Sequence, residues 1–105
     1  MNLPRSEFET TYTIPTEACI VNIGGGEVAL ILITAGEEES AVLQLLDGAF
    51  DNSPPLIAPM RAPAGDTRVF NFPLGSLTFY DGMYGILKGK GAQATIKGFV
   101  DEVPL

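Results

Sequence analysis

Residues 79–99 read FYDGMYGILKGKGAQATIKGF, two runs rich in apolar, aromatic and β-branched residues on either side of a glycine-containing turn. In the second run, small or apolar residues at positions 94, 96 and 98 alternate with larger or more polar ones, which is the two-residue period of a strand. Helical spacing is hardly present. The stretch therefore predicts two strands, over residues 83–88 and 92–99, joined as a C-terminal β-hairpin.

The turn between these runs, Gly89-Lys90-Gly91-Ala92-Gln93-Ala94, has the form G-x-G-x-x-A of a dinucleotide-binding loop. Such a loop needs a helix that opens at it and an acidic residue about 20 positions later. Only 14 residues follow Gly91, and they begin as an alternating strand. The lysine-containing phosphate loop, G-x-x-x-x-G-K-[ST], is incomplete here as well. We therefore predict a turn and no nucleotide site.

The rest of the chain repeats the same pattern of short β-rich runs closed by Gly, Pro, Asp or Asn. The triplet Gly24-Gly25-Gly26 separates two such runs and predicts a second hairpin. Four prolines between residues 49 and 65 limit the middle to loop with one edge strand. About eight short strands predict an all-β fold, a small antiparallel β-sandwich or jelly-roll-like barrel. A helix of one or two turns around 37–46 is the alternative for that stretch. The predicted runs are 9–14, 18–23, 27–34, 41–46, 56–61, 68–72, 77–80, 83–88 and 92–99.

The length of 105 residues suits one domain with one hydrophobic core. With 46% hydrophobic and 18% charged residues, the composition is that of a folded chain. We expect an N-terminal arm over 1–8, a single β-sandwich domain over 9–100 and a C-terminal tip over 101–105. Leu3 and Phe8 are expected to anchor the arm on a neighbouring subunit, with frayed termini as the alternative.

The net charge of −7 makes nucleic acid and anionic membranes poor partners. Lys88, Lys90 and Lys97 all fall in the C-terminal stretch, which predicts either solubilising lysines on an exposed hairpin or a basic edge that contacts an acidic neighbour. The N-terminus, MNLPRSEFETT, has neither the apolar run of a signal peptide nor an Arg-rich character, so the chain is expected to be made in the cytoplasm.

The chain contains no histidine, which excludes histidine-based nucleophilic catalysis and histidine metal ligands. A carboxylate pair of the glycosidase type remains open, but no pair is located by spacing. The run Glu37-Glu38-Glu39 lacks the alternation of a calcium loop and predicts a solvated turn. The single cysteine, Cys19, lies in an apolar run and is predicted to be buried. We predict no enzyme, no cofactor and no metal.

From Val28 onward the chain runs as an apolar strand, a strand ending in Leu-Leu-Asp-Gly, a proline-rich middle, an aromatic strand, and then FYDGMYGIL, Gly-Lys-Gly-Ala and a terminal β-branched strand. That order, over residues 28–99, resembles small virion structural proteins of tailed bacteriophages, including cyanophages. The resemblance implies a jelly-roll-like sandwich that forms homo-oligomers and binds other virion proteins, most specifically a capsid decoration or cement protein. It implies no catalytic residues. A head-to-tail, tail or fibre component, a carbohydrate-binding β-sandwich module and a small carboxylate enzyme are the alternatives.

Overall fold

A computed structural model describes residues 5–13, 16–21 and 24–101. These residues form nine strands and no helix. Strand-forming residues with a two-residue alternation account for most of them, and prolines or glycines close most of the runs. The strands are β1 (Arg5–Thr13), β2 (Thr16–Val21), β3 (Gly26–Thr34), β4 (Ala41–Leu46), β5 (Met60–Ala62), β6 (Thr67–Asn71), β7 (Thr78–Phe79), β8 (Met83–Lys88) and β9 (Gln93–Asp101).

The strands pack as two antiparallel sheets, one ordered β1-β9-β3-β6 and the other β2-β8-β4-β5. The short β7 pairs with the start of β3, off the main order of the first sheet. If β7 is set aside, every connection except the one from β4 to β5 crosses between the sheets, and the strand orders are those of a jelly roll. The predicted all-β fold, a small antiparallel sandwich of jelly-roll type, is confirmed.

The core lies between the two sheets and is made by alternate residues of each strand. In β8, Met83, Gly85 and Leu87 are buried, whereas Tyr84 and Ile86 between them are only half-buried. The same alternation in β4 shows why residues 41–46 form a strand and not the alternative helix. The largest fully buried side chains are Phe79, Ile31, Ile33, Leu43, Leu45, Met83, Leu87, Ile96 and Val28.

The C-terminal hairpin prediction is wrong, although the turn is real. β8 pairs with β2 and β4 in one sheet, whereas β9 pairs with β1 and β3 in the other. The turn 89–92 therefore crosses the edge of the sandwich, with Gly89 and Gly91 at φ of 122° and 75°. Both strands bury one face in the same core from opposite sides, and this produces the alternation that a hairpin would also give.

The predicted hairpin at Gly24-Gly25-Gly26 is wrong for the same reason. β2 lies in one sheet and β3 in the other, so the triplet carries the chain across the sandwich. Packing explains the glycine at 26: a Cβ there would run into the carbonyl oxygen of Phe99 and lie 2.7 Å from Cζ of Phe79. This glycine allows β3 to approach β9 closely, with no tight turn involved.

Strand boundaries differ most from the prediction in β1 and β5. β1 begins at Arg5 and pairs with β9 as far as Asp101, so residues 5–8 of the predicted arm are part of the first sheet. Residues 1–4 and 102–105 lie outside the described residues. The predicted edge strand of the proline-rich middle is present as β5, at residues 60–62, on the outside of its sheet.

Candidate interaction surface

Three loops meet at the end of the sandwich where β3 begins, and we call this the aromatic end (residues 24–25, 47–59 and 72–82). The Asp47 carboxylate ties two of them together, since its Oδ1 accepts the backbone N–H groups of Tyr80 and Asp81 at 3.0 and 3.1 Å. The N–H of Gly82 donates to the carbonyl of Gly24 at 2.7 Å and attaches the third. A hydrogen-bonded frame therefore fixes the loops against one another.

The aromatic end carries three of the four large hydrophobic side chains that are exposed among the described residues. Phe50, Leu74 and Tyr80 are 70%, 85% and 71% exposed. The Tyr80 hydroxyl lies 3.3 Å from the Thr78 hydroxyl, which directs its ring back along β7. Isolated exposed apolar residues are common, but three on connected loops at one end make that end the candidate surface for binding a partner.

A buried carboxylate fixes the loop that presents Leu74. Glu27 is only 2% exposed, and its Oε2 accepts the N–H of Gly75 at 2.6 Å. Glu27 also pairs with Thr78 in the register of β3 and β7. Leu74 is therefore held at the surface beside a hydrogen-bonded anchor.

The opposite end contains the apparent phosphate loop, and there it binds the chain's own carboxylates. The backbone N–H of Lys90 donates to Oε2 of Glu39 at 2.8 Å, and Lys90 Nζ lies 3.1 Å from Oε2 of Glu38. Gly36, Glu37 and Gly91 complete the lining of the shallow depression between the loops. The N–H and Nζ donors that a phosphate would need are already bound to carboxylates, so this geometry favours a structural turn.

An aspartate turn closes the same end between β5 and β6. The Thr67 N–H donates to Oδ1 of Asp66 at 2.8 Å, and Arg68 Nε donates to Oδ2 at 3.0 Å. These two hydrogen bonds hold the pKa of Asp66 below its usual value, and the one from the Thr67 backbone has the larger effect. Across the described residues, no group of three or more acidic or cysteine side chains is arranged to hold a metal ion.

The three lysines of the predicted basic edge do not come together. Lys88 lies on the outer face of the sheet that contains β8, and Lys97 lies on the outer face of the sheet that contains β9. Lys90 is in the turn between them, paired with Glu38. Leu3 lies outside the described residues, and for Phe8 only the backbone register, opposite Gly98, is described.

The prediction that Cys19 is buried is wrong, because the thiol is exposed. Cys19 pairs with Tyr84 across β2 and β8, and a bulge follows between Cys19 and Val21. The bulge changes the alternation, so Val21 enters the core while Cys19 stays on the outer face of the sheet. The sequence of an apolar run does not show where a bulge changes the face of the sheet to which its side chains point.

In the native protein, Cys19 is expected to react with dithiobisnitrobenzoate at a rate within about tenfold of the urea-unfolded chain, because an exposed thiol needs no opening of the fold to react. Released thionitrobenzoate, followed by absorbance with and without urea, measures both rates. Protection of several orders of magnitude in the native state would contradict the outward position of Cys19.

No protein-family model matches the chain, and a search of curated proteins finds no match. In the described part of the chain, no helix has the length and apolar character needed to cross a membrane. Solved structures share the fold at low sequence identity. The likeness shows a shared β-rich fold and carries no information on the activity of this chain.

A subunit of Bacillus endospore appendages, which form disulfide-linked pili, is 11% identical with a TM-score of 0.55, over 97% of this chain and 90% of the other. The Drosophila NLP core, studied for pentamer formation and histone binding, is 19% identical with a TM-score of 0.56, over 91% of this chain and 99% of the other. The Tobacco streak virus coat protein dimer is 13% identical with a TM-score of 0.48, over 100% of this chain and 92% of the other.

Proposed function

We propose that the protein is a non-enzymatic structural protein of a virion, most specifically a capsid decoration or cement protein that is made in the host cytoplasm and binds copies of itself and the major capsid protein. The aromatic end is the observation that carries this proposal. Exposed Phe50, Leu74 and Tyr80 present apolar surface on connected loops, as a docking site for another protein requires. The sequence resemblance to phage virion proteins supports the same assignment.

The aromatic end suits docking because it is organised before a partner arrives. Asp47 fixes the backbone of the loop that carries Tyr80, and Glu27 fixes the loop that carries Leu74. The partner then orders few backbone segments on binding, which lowers the entropic cost of association. Exposed Asp51 and Asp81 flank the apolar side chains, so the complementary surface is apolar at its centre and basic at its rim.

The N-terminal arm is a second proposed contact, with Leu3 and Phe8 as its anchors on a neighbouring subunit. Residues 5–8 already pair with β9, so removal of residues 1–8 would also shorten an edge strand of the first sheet. Deletion of residues 1–4 alone therefore tests the contact without this loss. A head-to-tail, tail or fibre position uses the same surfaces and is the nearest alternative within the virion.

A carbohydrate-binding module is a second candidate function, and the exposed rings of Phe50 and Tyr80 favour it. Aromatic faces beside carboxylates are the groups that stack on sugars and accept hydrogen bonds from their hydroxyls. A covalently linked pilus is a poorer candidate, because these 105 residues contain a single cysteine. One thiol for each chain joins two chains and cannot extend a disulfide-linked polymer.

The double variant Phe50→Ser with Tyr80→Ser is expected to lose binding to capsid particles by about a hundredfold, since each buried aromatic anchor contributes roughly 1–2 kcal/mol or more. Co-sedimentation with particles assembled from the major capsid protein of the same genome measures it. Val69→Ser is the matched control, because Val69 is also exposed, at 53%, but lies on β6 away from this end.

Wild-type protein that stays in the supernatant at all concentrations would rule out the decoration role. Retention of the wild type on a glycan array, with loss in the double variant, would instead establish the carbohydrate module.

A further inference from the structure

The outer face of the sheet β2-β8-β4-β5 points away from the core and carries three rows of side chains, which we call the β8 face. Residues directly opposite each other on neighbouring strands share a face, so the register defines the rows. Counted toward the aromatic end, the rows are Lys88, Val42 and Arg61, then Glu17, Ile86 and Gln44, then Cys19 and Tyr84. Leu46, opposite Tyr84, is buried, and its strand bridges to Pro55 there.

The two central strands of the β8 face carry one large half-buried apolar or aromatic side chain in each row, Val42, Ile86 and Tyr84. Gln44 is the polar residue beside Ile86. Lys88 and Arg61, both exposed, lie on either side of Val42 and form the cationic corner.

The carboxylates lie toward the β2 edge and the aromatic end of the face. Glu17 is exposed on the edge strand β2, and Asp51 is exposed in the loop that follows β4. Loss of solvation, and then the negative charges of Glu17, Asp51 and Cys19, raise the pKa of Tyr84. By register, Glu17 is one strand across and one row along from Tyr84, and equally from Lys88. Asp51 belongs to the aromatic end, the far end of the face from Lys88 and Arg61.

This arrangement is complementary to itself. A two-fold axis that lies in the interface and runs diagonal to the strands turns the cationic corner of one copy onto the carboxylates of the other. Lys88 then faces Glu17 of the partner subunit, and Arg61 faces Asp51 of the partner subunit. Strands of the two copies cross at a large angle, which is one of the two usual ways that sheets pack face to face.

We propose that the β8 face binds the same face of a second copy of this chain and forms an isologous dimer. The apolar and aromatic side chains of its central strands exclude water, and its charges fix the orientation of the two copies. The dimer rests on the self-association proposed above and identifies its surface, but it does not depend on a capsid partner.

The size of the face sets the strength of the contact. Four strands about 4.8 Å apart, of which three contribute about five residues of about 3.4 Å each and β5 contributes fewer, span at most roughly 19 by 17 Å. This is below the roughly 800 Å² per partner of a standard protein interface, so the dimer is weak in dilute solution. It forms where subunits are concentrated, and salt weakens it by screening its charges.

Sedimentation velocity over a range of concentrations and salt tests the proposal with two charge-reversed variants. Lys88→Glu with Arg61→Glu makes the face acidic throughout, and Glu17→Lys with Asp51→Lys makes it basic. Each variant alone is expected to self-associate about a hundredfold more weakly than the wild type, because like charges then oppose each other. An equimolar mixture of the two is expected to form a heterodimer.

Lys90→Glu with Lys97→Glu is the control, since it makes the same change in net charge outside the face and should dimerise like the wild type. Far-UV circular dichroism checks that each variant is folded. Wild-type protein that is monomeric throughout, or a mixture that does not associate, would overturn the β8-face dimer. An oligomer that resists every charge reversal would overturn this contact but leave self-association standing, and capsid binding is measured separately.

Discussion

Gly26→Val is expected to lower the free energy of unfolding by about 3 kcal/mol or more. A Cβ at position 26 would meet the carbonyl oxygen of Phe99 and the ring of Phe79, and both neighbours are fixed. Gly26 is opposite Val100 of β9 on one side and Phe79 of β7 on the other, so neither strand can retreat without breaking its pairing. Overpacking of this kind costs about 3 kcal/mol or more, a large part of the stability of a small domain.

Urea unfolding followed by far-UV circular dichroism measures this loss. Gly65→Ala is the matched control, because Gly65 has a φ of 75° but a methyl group added there would have nothing within 4 Å. That variant is expected to lose only about 1–2 kcal/mol from the left-handed backbone. Equal losses at the two positions would show that close packing at Gly26 is unimportant.

Phe79→Ala is expected to lower the free energy of unfolding by about 3–5 kcal/mol, the usual cost of emptying a buried aromatic site. Phe79 is 1% exposed and belongs to a strand of only two residues. The ring therefore anchors β7 to the core, and its removal leaves a cavity between the sheets and loosens the loop that carries Tyr80.

The next residue supplies the comparison for Phe79. Tyr80→Ala removes an aromatic ring of similar size that is 71% exposed, and it is expected to change stability by no more than about 0.5–1 kcal/mol. Urea midpoints and slopes of both variants separate a change in stability from a change in the unfolded state. Similar losses for the two would contradict the inward position of Phe79.

Local pattern predicted the strands well because burial on one side of a strand leaves a two-residue period in the sequence. Predicted runs 41–46 and 83–88 coincide with β4 and β8, whose alternate residues are buried. The same period says nothing about which sheet a strand joins. A turn such as 89–92 therefore looks alike whether it closes a hairpin or crosses the sandwich, and both predicted hairpins failed on this point.

Surface features were harder to predict because they depend on partners distant in sequence. Lys88 and Lys97 are near in sequence but lie on strands of different sheets, so the predicted basic edge is split. Phe50 and Tyr80 could not be recognised as exposed, because an aromatic residue beside a turn is as often a core residue. The two side chains lie at one end of the molecule because Asp47 binds the backbone of residues 80 and 81, more than thirty residues away.

The pairing of the first strand with the last also constrains how the protein is made. β1 has its register with β9, from Arg5 opposite Asp101 to Thr13 opposite Gln93, and β2 pairs with β8. During synthesis, the early strands must wait for nearly all of the sequence before they find their partners. Folding is therefore a late event governed by distant contacts, and an unpaired β1 is exposed to other nascent chains until the sheet closes.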